Sequence, residues 1–384
     1  MHVLIIPSWY KTPENPVIGT FFEEQARMLQ NKGFQVGILY PDHLMRFDIK
    51  QSHAKKQLQN FIDNGIPTYY SYTNSIIPRT KKINYWYACQ KALLTFKKYK
   101  KKYGMPDVIH AHATFIGGLV ANAISKKYDI PYILTEHYTG LILDETLAND
   151  KTNKSIIKKV FLEAKRNIIV SNFFKQELIL KYKIESSNLQ VIANLVNPIF
   201  YTAYTQKEIS VPFNVVCTAF LTPNKQHKLL FGALCLLNQK GYFISLKLIG
   251  GGAYKDELLT ELKSKNIMHL VTFMGNQPRE VIKQEIDNAH IVVSASKFET
   301  FGVNLIEALA CGRPVVAIDS GGPRDIITRE NGILVLENTA ESLAMAIEEM
   351  IANYENYDQC QIVADCISRF SEDAIFEKLE KVYK

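Results

Sequence analysis

Two carboxylates eight positions apart, Glu299 and Glu307, flank a Phe301-Gly302 step in the stretch SKFETFGVNLIEALACGRPVV (296–316). Just upstream, HIVVSAS (290–296) is short, apolar and β-branched, the pattern of a buried strand. Gly302 permits a turn, and VNLIEALA carries the 3.6-residue period of a packed helix. The order strand, carboxylate, glycine turn, helix puts unpaired first-turn N–H groups and a positive dipole end beside Glu299. Phe301, Gly302 and Val303 would offer those amides to an anion. Glu307 falls about a turn inside the helix, and helical side chains lean toward the N-terminus, so it is expected to reach the same pocket. Amides for a diphosphate beside carboxylates that accept from hydroxyls suit a sugar nucleotide.

The elements that must hold these groups follow from the rhythm of the chain. Strands are expected at 2–6, 35–40, 107–111, 131–135, 167–171 and 189–192, with helices at 20–32, 83–103, 116–128, 155–165 and 172–181. After Asn197-Pro198 the pattern restarts, with strands at 213–219, 245–249, 270–274, 290–294 and 314–318. Short apolar runs alternating with helical stretches predict parallel sheets with helical crossovers. The fold class is therefore α/β, two doubly wound Rossmann-like domains facing across a cleft. The boundary falls in 194–212, near Pro198 and Pro212. The expected division is 1–197, 198–370 and a terminal helix at 371–384, opened by Ser371 as cap.

Composition sets outer limits. With 384 residues, 47% hydrophobic and 22% charged, the chain suits two globular domains. It has no apolar run of 18 residues, and MHVLIIPSWY reads as a first strand rather than a signal peptide. The six cysteines form no C-x-x-C pair and read as buried thiols. Residues 1–200 hold 27 Lys+Arg against 15 Asp+Glu, whereas 201–384 hold 18 against 23. The densest basic run, KKYKKKYG (97–104), ends the helix expected at 83–103. It is either a solvated face or, over 81–103, a surface for an anionic membrane. Nucleic acid is not expected, because no recognisable motif interleaves aromatics with the basic residues.

The stretch 296–316, with Ser294, Phe301-Gly302, Glu307-Ala308 and Ala310-x-Gly312-x-Pro314-Val315, resembles the E-x7-E signature of the GT4 family of retaining glycosyltransferases (group 1), which have the GT-B fold. The resemblance spans nearly the whole chain and is sharpest from Phe213 to Gly332. It implies that 1–197 binds the acceptor, 198–370 binds the nucleotide sugar, and the terminal helix packs back on the first domain. Glu299 would bond the donor sugar's hydroxyls and Glu307 the ribose. TAFLTPNKQHKLL (218–230) resembles the family's R-L-x-x-x-K diphosphate element, with Lys225 on the lysine. Phe220 replaces the arginine, and Lys228 or His227 could compensate.

The resemblance also places His112, in PDVIHAHATFIGG, in the cleft against the donor sugar or the acceptor. His110 and His112 straddle the strand end, and the expectation is that they point to opposite faces, His110 packed inside. Both could instead be structural. The loop at 7–25 keeps one glycine, Gly19, of the family's Gly-Gly pair near donor phosphate. Its Trp9 and Tyr10 would either stack on an acceptor sugar or pack within a rigid loop, and Glu136-His137 would line the acceptor side. Gly250-Gly251-Gly252 resembles the family's Gly-x-Gly turn on the donor side. It misses the dinucleotide fingerprint because Lys255 stands where the last glycine belongs. GGPRDII (321–327) is similar to the family's Gly-Gly-x-x-Glu run, with Asp325 for Glu, a change that suggests packing or capping.

What is implied is metal-independent, retaining transfer of a hexosyl group from a nucleotide-diphosphate sugar, a UDP-sugar ahead of a GDP-sugar. The acceptor would be a hydroxyl on a saccharide or lipid-linked saccharide of a cell-surface polysaccharide. No metal site and no cofactor are expected, since no D-x-D triplet occurs and no histidines stand at ligand spacing. The expected location is cytoplasmic, peripheral on the inner face of the plasma membrane. The alternatives are a non-catalytic sugar-nucleotide-binding subunit and a sugar-nucleotide epimerase.

Overall fold

The computed structural model describes residues 1–11, 18–44, 60–74, 80–202 and 208–384. Parts of the loop at 7–25 (residues 12–17) and of the boundary region at 194–212 (residues 203–207) lie outside the described residues. The chain divides into two units: Met1–Ile192 with Phe376–Lys384, and Ala193–Ile375.

The first unit is built on an eight-stranded sheet. Its strands are β1 (His2–Pro7), β2 (Gln35–Tyr40), β4 (Phe61–Asp63), β5 (Ile66–Tyr70), β7 (Val108–His112), β8 (Tyr132–Glu136), β9 (Arg166–Ile169) and β10 (Leu189–Val191), in the order β10-β9-β8-β7-β1-β2-β5-β4. The short β3 (His43–Leu44) and β6 (Thr73–Asn74) pair apart from it. All pairings of the large sheet are parallel except that of edge strand β4 with β5. The central strands are buried along their length, as a sheet covered on both faces requires. Strand β5 escapes a sequence reading because IPTYY holds Pro67, a residue sheets admit only where a donor is dispensable.

Helices α1 (Thr20–Asn31), α2 (Lys81–Tyr103), α3 (Leu119–Tyr128), α4 (Lys151–Glu163) and α5 (Asn172–Tyr182) form the connections. Asp150 caps α4 through Asn153 N at 2.8 Å, and Ser171 caps α5 through Phe174 N at 3.1 Å. The helix expected at 116–128 begins instead at Leu119. Within 114–118, Phe115 is extended and Ile116 has a positive φ of 61°, so no regular turn can form there.

The second unit carries β11 (Phe213–Thr218), β12 (Ile244–Ile249), β13 (Val271–Gly275), β14 (Ile291–Ser294), β15 (Val315–Ile318) and β16 (Gly332–Val335) in the order β13-β12-β11-β14-β15-β16, all parallel. Around it lie α6 (His227–Gln239), α7 (Lys255–Ser264), α8 (Arg279–Asn288), α9 (Val303–Ala310), α10 (Ala340–Ala352) and α11 (Gln359–Phe370). One core joins α6 and α10 to the sheet through Leu230, Leu234, Leu343 and Ile347. The last helix, α12 (Glu372–Tyr383), is capped by Ser371 through Ala374 N at 3.2 Å. Its residues from Phe376 belong to the first unit, where Phe34 packs on Phe376 and Tyr383.

Each sheet reverses its winding once. In the first unit this happens between β1 and β7, in the second between β11 and β14. Connections diverge there, leaving a crevice at the carboxyl ends of the strands where ligands of such folds bind.

Candidate functional site

In the second unit, the loops leaving β11 and β14 are laced together. Asn224 Nδ2 donates to Phe298 O at 3.0 Å, and Lys297 N donates to Asn224 O at 2.8 Å. This brings the Lys225 ammonium onto Glu299 Oε1 in a direct ion pair, with side-chain exposures of 23% and 15%. The main chain of Glu299 is fixed in turn: its N–H donates to Ser320 O at 3.0 Å, and its carbonyl accepts from Gly322 N at 2.9 Å. Gly322 lies so close that a Cβ there would stand 2.4 Å from Phe301 O. The run 321–327 therefore acts through backbone approach, and the packing expected of it is centred on Gly322. Phe301 is buried against Phe370, and Gly302, at φ 116°, starts α9.

The glycine turn after β12 joins the same region. Leu221 N donates to Gly251 O at 2.9 Å, and a Cβ on Gly250 would meet Ala219 O at 2.1 Å. Only glycine fits there, at φ 143°. Phe220, between these contacts, is 51% exposed. The two candidate stand-ins for the absent arginine differ in setting. His227 is buried, its ring pushed down to about 4 by burial and by the Lys225 charge, and Lys228 pairs with Glu257 at 3.4 Å.

Glu307 is 7% exposed in the second turn of α9. Its Oε1 accepts from Arg279 Nη1 at 2.7 Å. Burial pushes its pKa up, and Arg279 opposes that shift. Arg279 opens α8, and its guanidinium lies 5.8 Å from the ring centre of Phe200.

In the first unit the β1/β7 switch carries the histidines, and here one expectation fails. His110 and His112 share one face, their rings stacked 4.3 Å apart. Strand side chains alternate with period two, so positions i and i+2 point the same way. His110 is fully partnered: Nδ1 meets Tyr383 Oη at 2.6 Å and Gln25 Nε2 at 3.0 Å, and Nε2 meets Thr135 Oγ1 at 2.7 Å. His112 is equally buried, with Nδ1 3.1 Å from His137 Nε2 and its ring on Phe22. Its Nε2 has no partner among the described residues. Burial pushes His110 and His137 down to about 3 and His112 well below its ordinary value, so all three rings are neutral.

Two further expectations change. Glu136 is fully buried and lines nothing. Oε2 accepts from Thr114 N at 2.8 Å and from the Thr114 hydroxyl, and Oε1 accepts from His137 N and Tyr138 N at 2.8 and 2.7 Å. It fastens two loops. Tyr10 is buried against Tyr40, which decides for the packed-loop reading at that residue. Trp9 is half-buried among Phe21, Phe22 and Tyr138. Gly19 caps α1 at φ 75°, where a Cβ would stand 3.0 Å from Trp9 O.

Residues 207–364 match the family described as Glycosyl transferases group 1, and residues 18–199 match Glycosyltransferase Family 4. The chain belongs to the GT4 family of glycosyltransferases. This GT4 chain is 24% identical over 365 residues to an uncharacterized glycosyltransferase of Methanocaldococcus jannaschii, covering 86% of this chain and 93% of the relative. It is 24% identical over 355 residues to the putative teichuronic acid biosynthesis glycosyltransferase TuaC of Bacillus subtilis (90% and 88% covered). Its fold is GT-B. Sucrose-phosphate synthase from Thermosynechococcus elongatus superposes with TM-score 0.79 at 20% identity, covering 100% and 98% of the two chains. Anabaena HepE in complex with UDP gives 0.72 at 18%, covering 99% of each.

Sequence reasoning misses Arg279 and Tyr383 in this GT4 chain. Their partners lie 28 and 273 positions away, and only the tertiary fold joins them. Among the described residues no cluster of three or more His, Cys, Asp or Glu is placed to hold a metal ion, and no helix is long and apolar enough to cross a membrane.

Proposed function

We propose that this chain moves a hexosyl group from a nucleotide-diphosphate sugar to an acceptor hydroxyl, with retention at the anomeric carbon. The observation that carries the reading is the meeting of Lys225, Glu299 and the start of α9 at the β11/β14 switch. There Lys225 and the 301–303 amides take the diphosphate and Glu299 the sugar hydroxyls, while Glu307 takes the ribose. Gly250 and Gly19 admit close backbone approach. Breaking the anomeric C–O bond leaves charge on the diphosphate, which Lys225 and the amides stabilise without a metal or cofactor. In a same-face reaction the departing phosphate oxygen takes the acceptor's proton as the new glycosidic bond forms, and the protein supplies position and electrostatics.

A uridine nucleotide is preferred over guanosine because HepE structures are described with UDP and UDP-glucose. In the first unit, half-buried His137 and Trp9 would face the acceptor, with buried His112 backing His137 at 3.1 Å. We assign acceptor binding to 1–197, donor binding to 198–370, and a closing role to 371–384. The relative TuaC, described for teichuronic acid, supports a saccharide or lipid-linked saccharide acceptor in cell-surface polysaccharide synthesis. The basic face of α2 would hold the enzyme on the inner face of the plasma membrane. Exposed Phe220 where the family has arginine favours the rival reading, a subunit that binds sugar nucleotide without catalysis.

Incubating the protein with radiolabelled UDP- and GDP-sugars, without acceptor, separates the two. Slow release of free sugar, unchanged by EDTA, supports the enzyme. Binding without release supports the subunit, and loss of turnover on chelation restored by manganese contradicts the metal-free mechanism.

A further inference from the structure

We infer that Arg279 is the positioning residue that makes Glu307 a selective acceptor for a ribose hydroxyl, so that the choice of ribonucleotide over deoxyribonucleotide depends on a residue outside the E-x7-E segment. The inference rests on the proposed role of Glu307 and deepens it.

The geometry is asymmetric. Arg279 Nη1 takes Oε1 of Glu307 at 2.7 Å. Oε2 receives no hydrogen bond from any described residue, although the side chain as a whole is 7% exposed. One oxygen is thus fixed and the other stays open as an acceptor with its direction set. Burial alone favours the neutral acid, which would present a donor or an ambiguous group. A guanidinium at hydrogen-bond distance opposes that effect of burial and aligns the carboxylate.

Arg279 is itself held. It opens α8, its guanidinium rests on the ring of buried Phe200, and the Phe200 carbonyl accepts from Cys311 Sγ at 3.3 Å, just past the end of α9. The arginine and its glutamate are therefore tied to neighbouring parts of one unit. Lysine at 279 would keep the charge and lose the fixed planar fork.

The test is calorimetric titration of wild type, Arg279→Met, Arg279→Lys and Glu307→Gln. The ligand is whichever of UDP and GDP the wild type binds more tightly, then its 2′-deoxy and 3′-deoxy forms. Wild type should lose about tenfold or more in affinity when the contacted hydroxyl is removed. Arg279→Met should weaken the ribonucleotide by a similar factor and leave the deoxy form almost unchanged, so that the preference collapses toward one. Glu307→Gln should do the same, and Arg279→Lys should give an intermediate preference.

An Arg279→Met protein that keeps the full preference, or weakens all forms equally, overturns the proposal. Should that variant not fold, Arg279→Lys decides alone, and an unaltered preference overturns it. Wild type that binds the nucleotide without discriminating the deoxy forms removes the ribose contact and this inference, and leaves the diphosphate reading standing. Wild type that binds neither nucleotide removes the donor reading itself.

Discussion

The Lys225 ammonium and the Glu299 carboxylate neutralise one another across the β11/β14 switch, 74 positions apart in sequence. On the proposed reading, a diphosphate arriving at Lys225 would add negative charge beside Glu299, and sugar hydroxyls donating to Glu299 would compensate it. Lys225→Ala should therefore cost donor affinity about tenfold to a hundredfold, the range for a lost charge-assisted bond. It should change stability by only about 1 kcal/mol, since the pair is partly exposed. Titration with UDP and urea unfolding separate the two effects. Glu299→Ala should lower kcat, and Glu307→Ala should mainly raise the donor KM. Kinetics like wild type in both would remove these residues from the site.

Gly322→Ala should be worse than its size suggests. The new methyl would stand 2.4 Å from Phe301 O and 2.5 Å from Phe301 Cα and N, so the 301–303 backbone must shift. We expect a loss of about 1–3 kcal/mol by thermal melting, with a raised donor KM. Unchanged donor KM would detach this contact from the site.

His227 offers a pH test with a definite sign. Both ring nitrogens lack partners among the described residues, and the folded pKa is pushed down to about 4 from an ordinary 6.5. A depressed histidine contributes stability that is complete above pH 6.5 and drains away as pH falls toward the folded value. His227→Leu removes that proton uptake by the unfolded chain. Relative to wild type it should gain about 2 kcal/mol between pH 7.5 and pH 5, read by urea unfolding at each pH. Equal pH slopes for the two proteins would show that the ring is protonated in place.

On α2, exposed Ile83, Trp86 and Leu94 share the helix with exposed Lys91, Lys97, Lys98, Lys101 and Lys102, and Trp86 is 62% exposed. Lys81 bonds Asp150 at 3.1 Å, which sets α2 beside α4 and its exposed Lys154 and Lys158. Vesicles with anionic lipid should co-sediment the protein, at about 1 kcal/mol per engaged lysine, and neutral vesicles should not. Trp86→Ala and Lys97→Glu should each weaken capture. Capture indifferent to lipid charge would leave this face merely solvated.

What the sequence discloses and what it hides divide on physical grounds. Uninterrupted apolar runs such as VLII and IVVS announce strands buried on both faces, and their regular spacing gives the two parallel sheets. The segment 299–307 is legible because strand end, carboxylates, glycine and helix are contiguous. Arg279 opposite Glu307 and Tyr383 against His110 are invisible, because nothing local records which distant side chain fills a buried partner's hydrogen bond. The histidine pair went astray for a simpler reason, two positions being a full period of a strand. Glu136 looked like a lining residue because it ends a strand, and only the four donors around it disclose a tether.

The paired backbone of Glu299 and Gly321-Gly322 has one more consequence. Two segments joined through both the N–H and the carbonyl of Glu299 move together, so an insertion in either would warp both. New ligand preferences in this chain are accordingly open to exchanges of outward side chains such as Phe220 and closed to changes of loop length at 299–303 or 320–323.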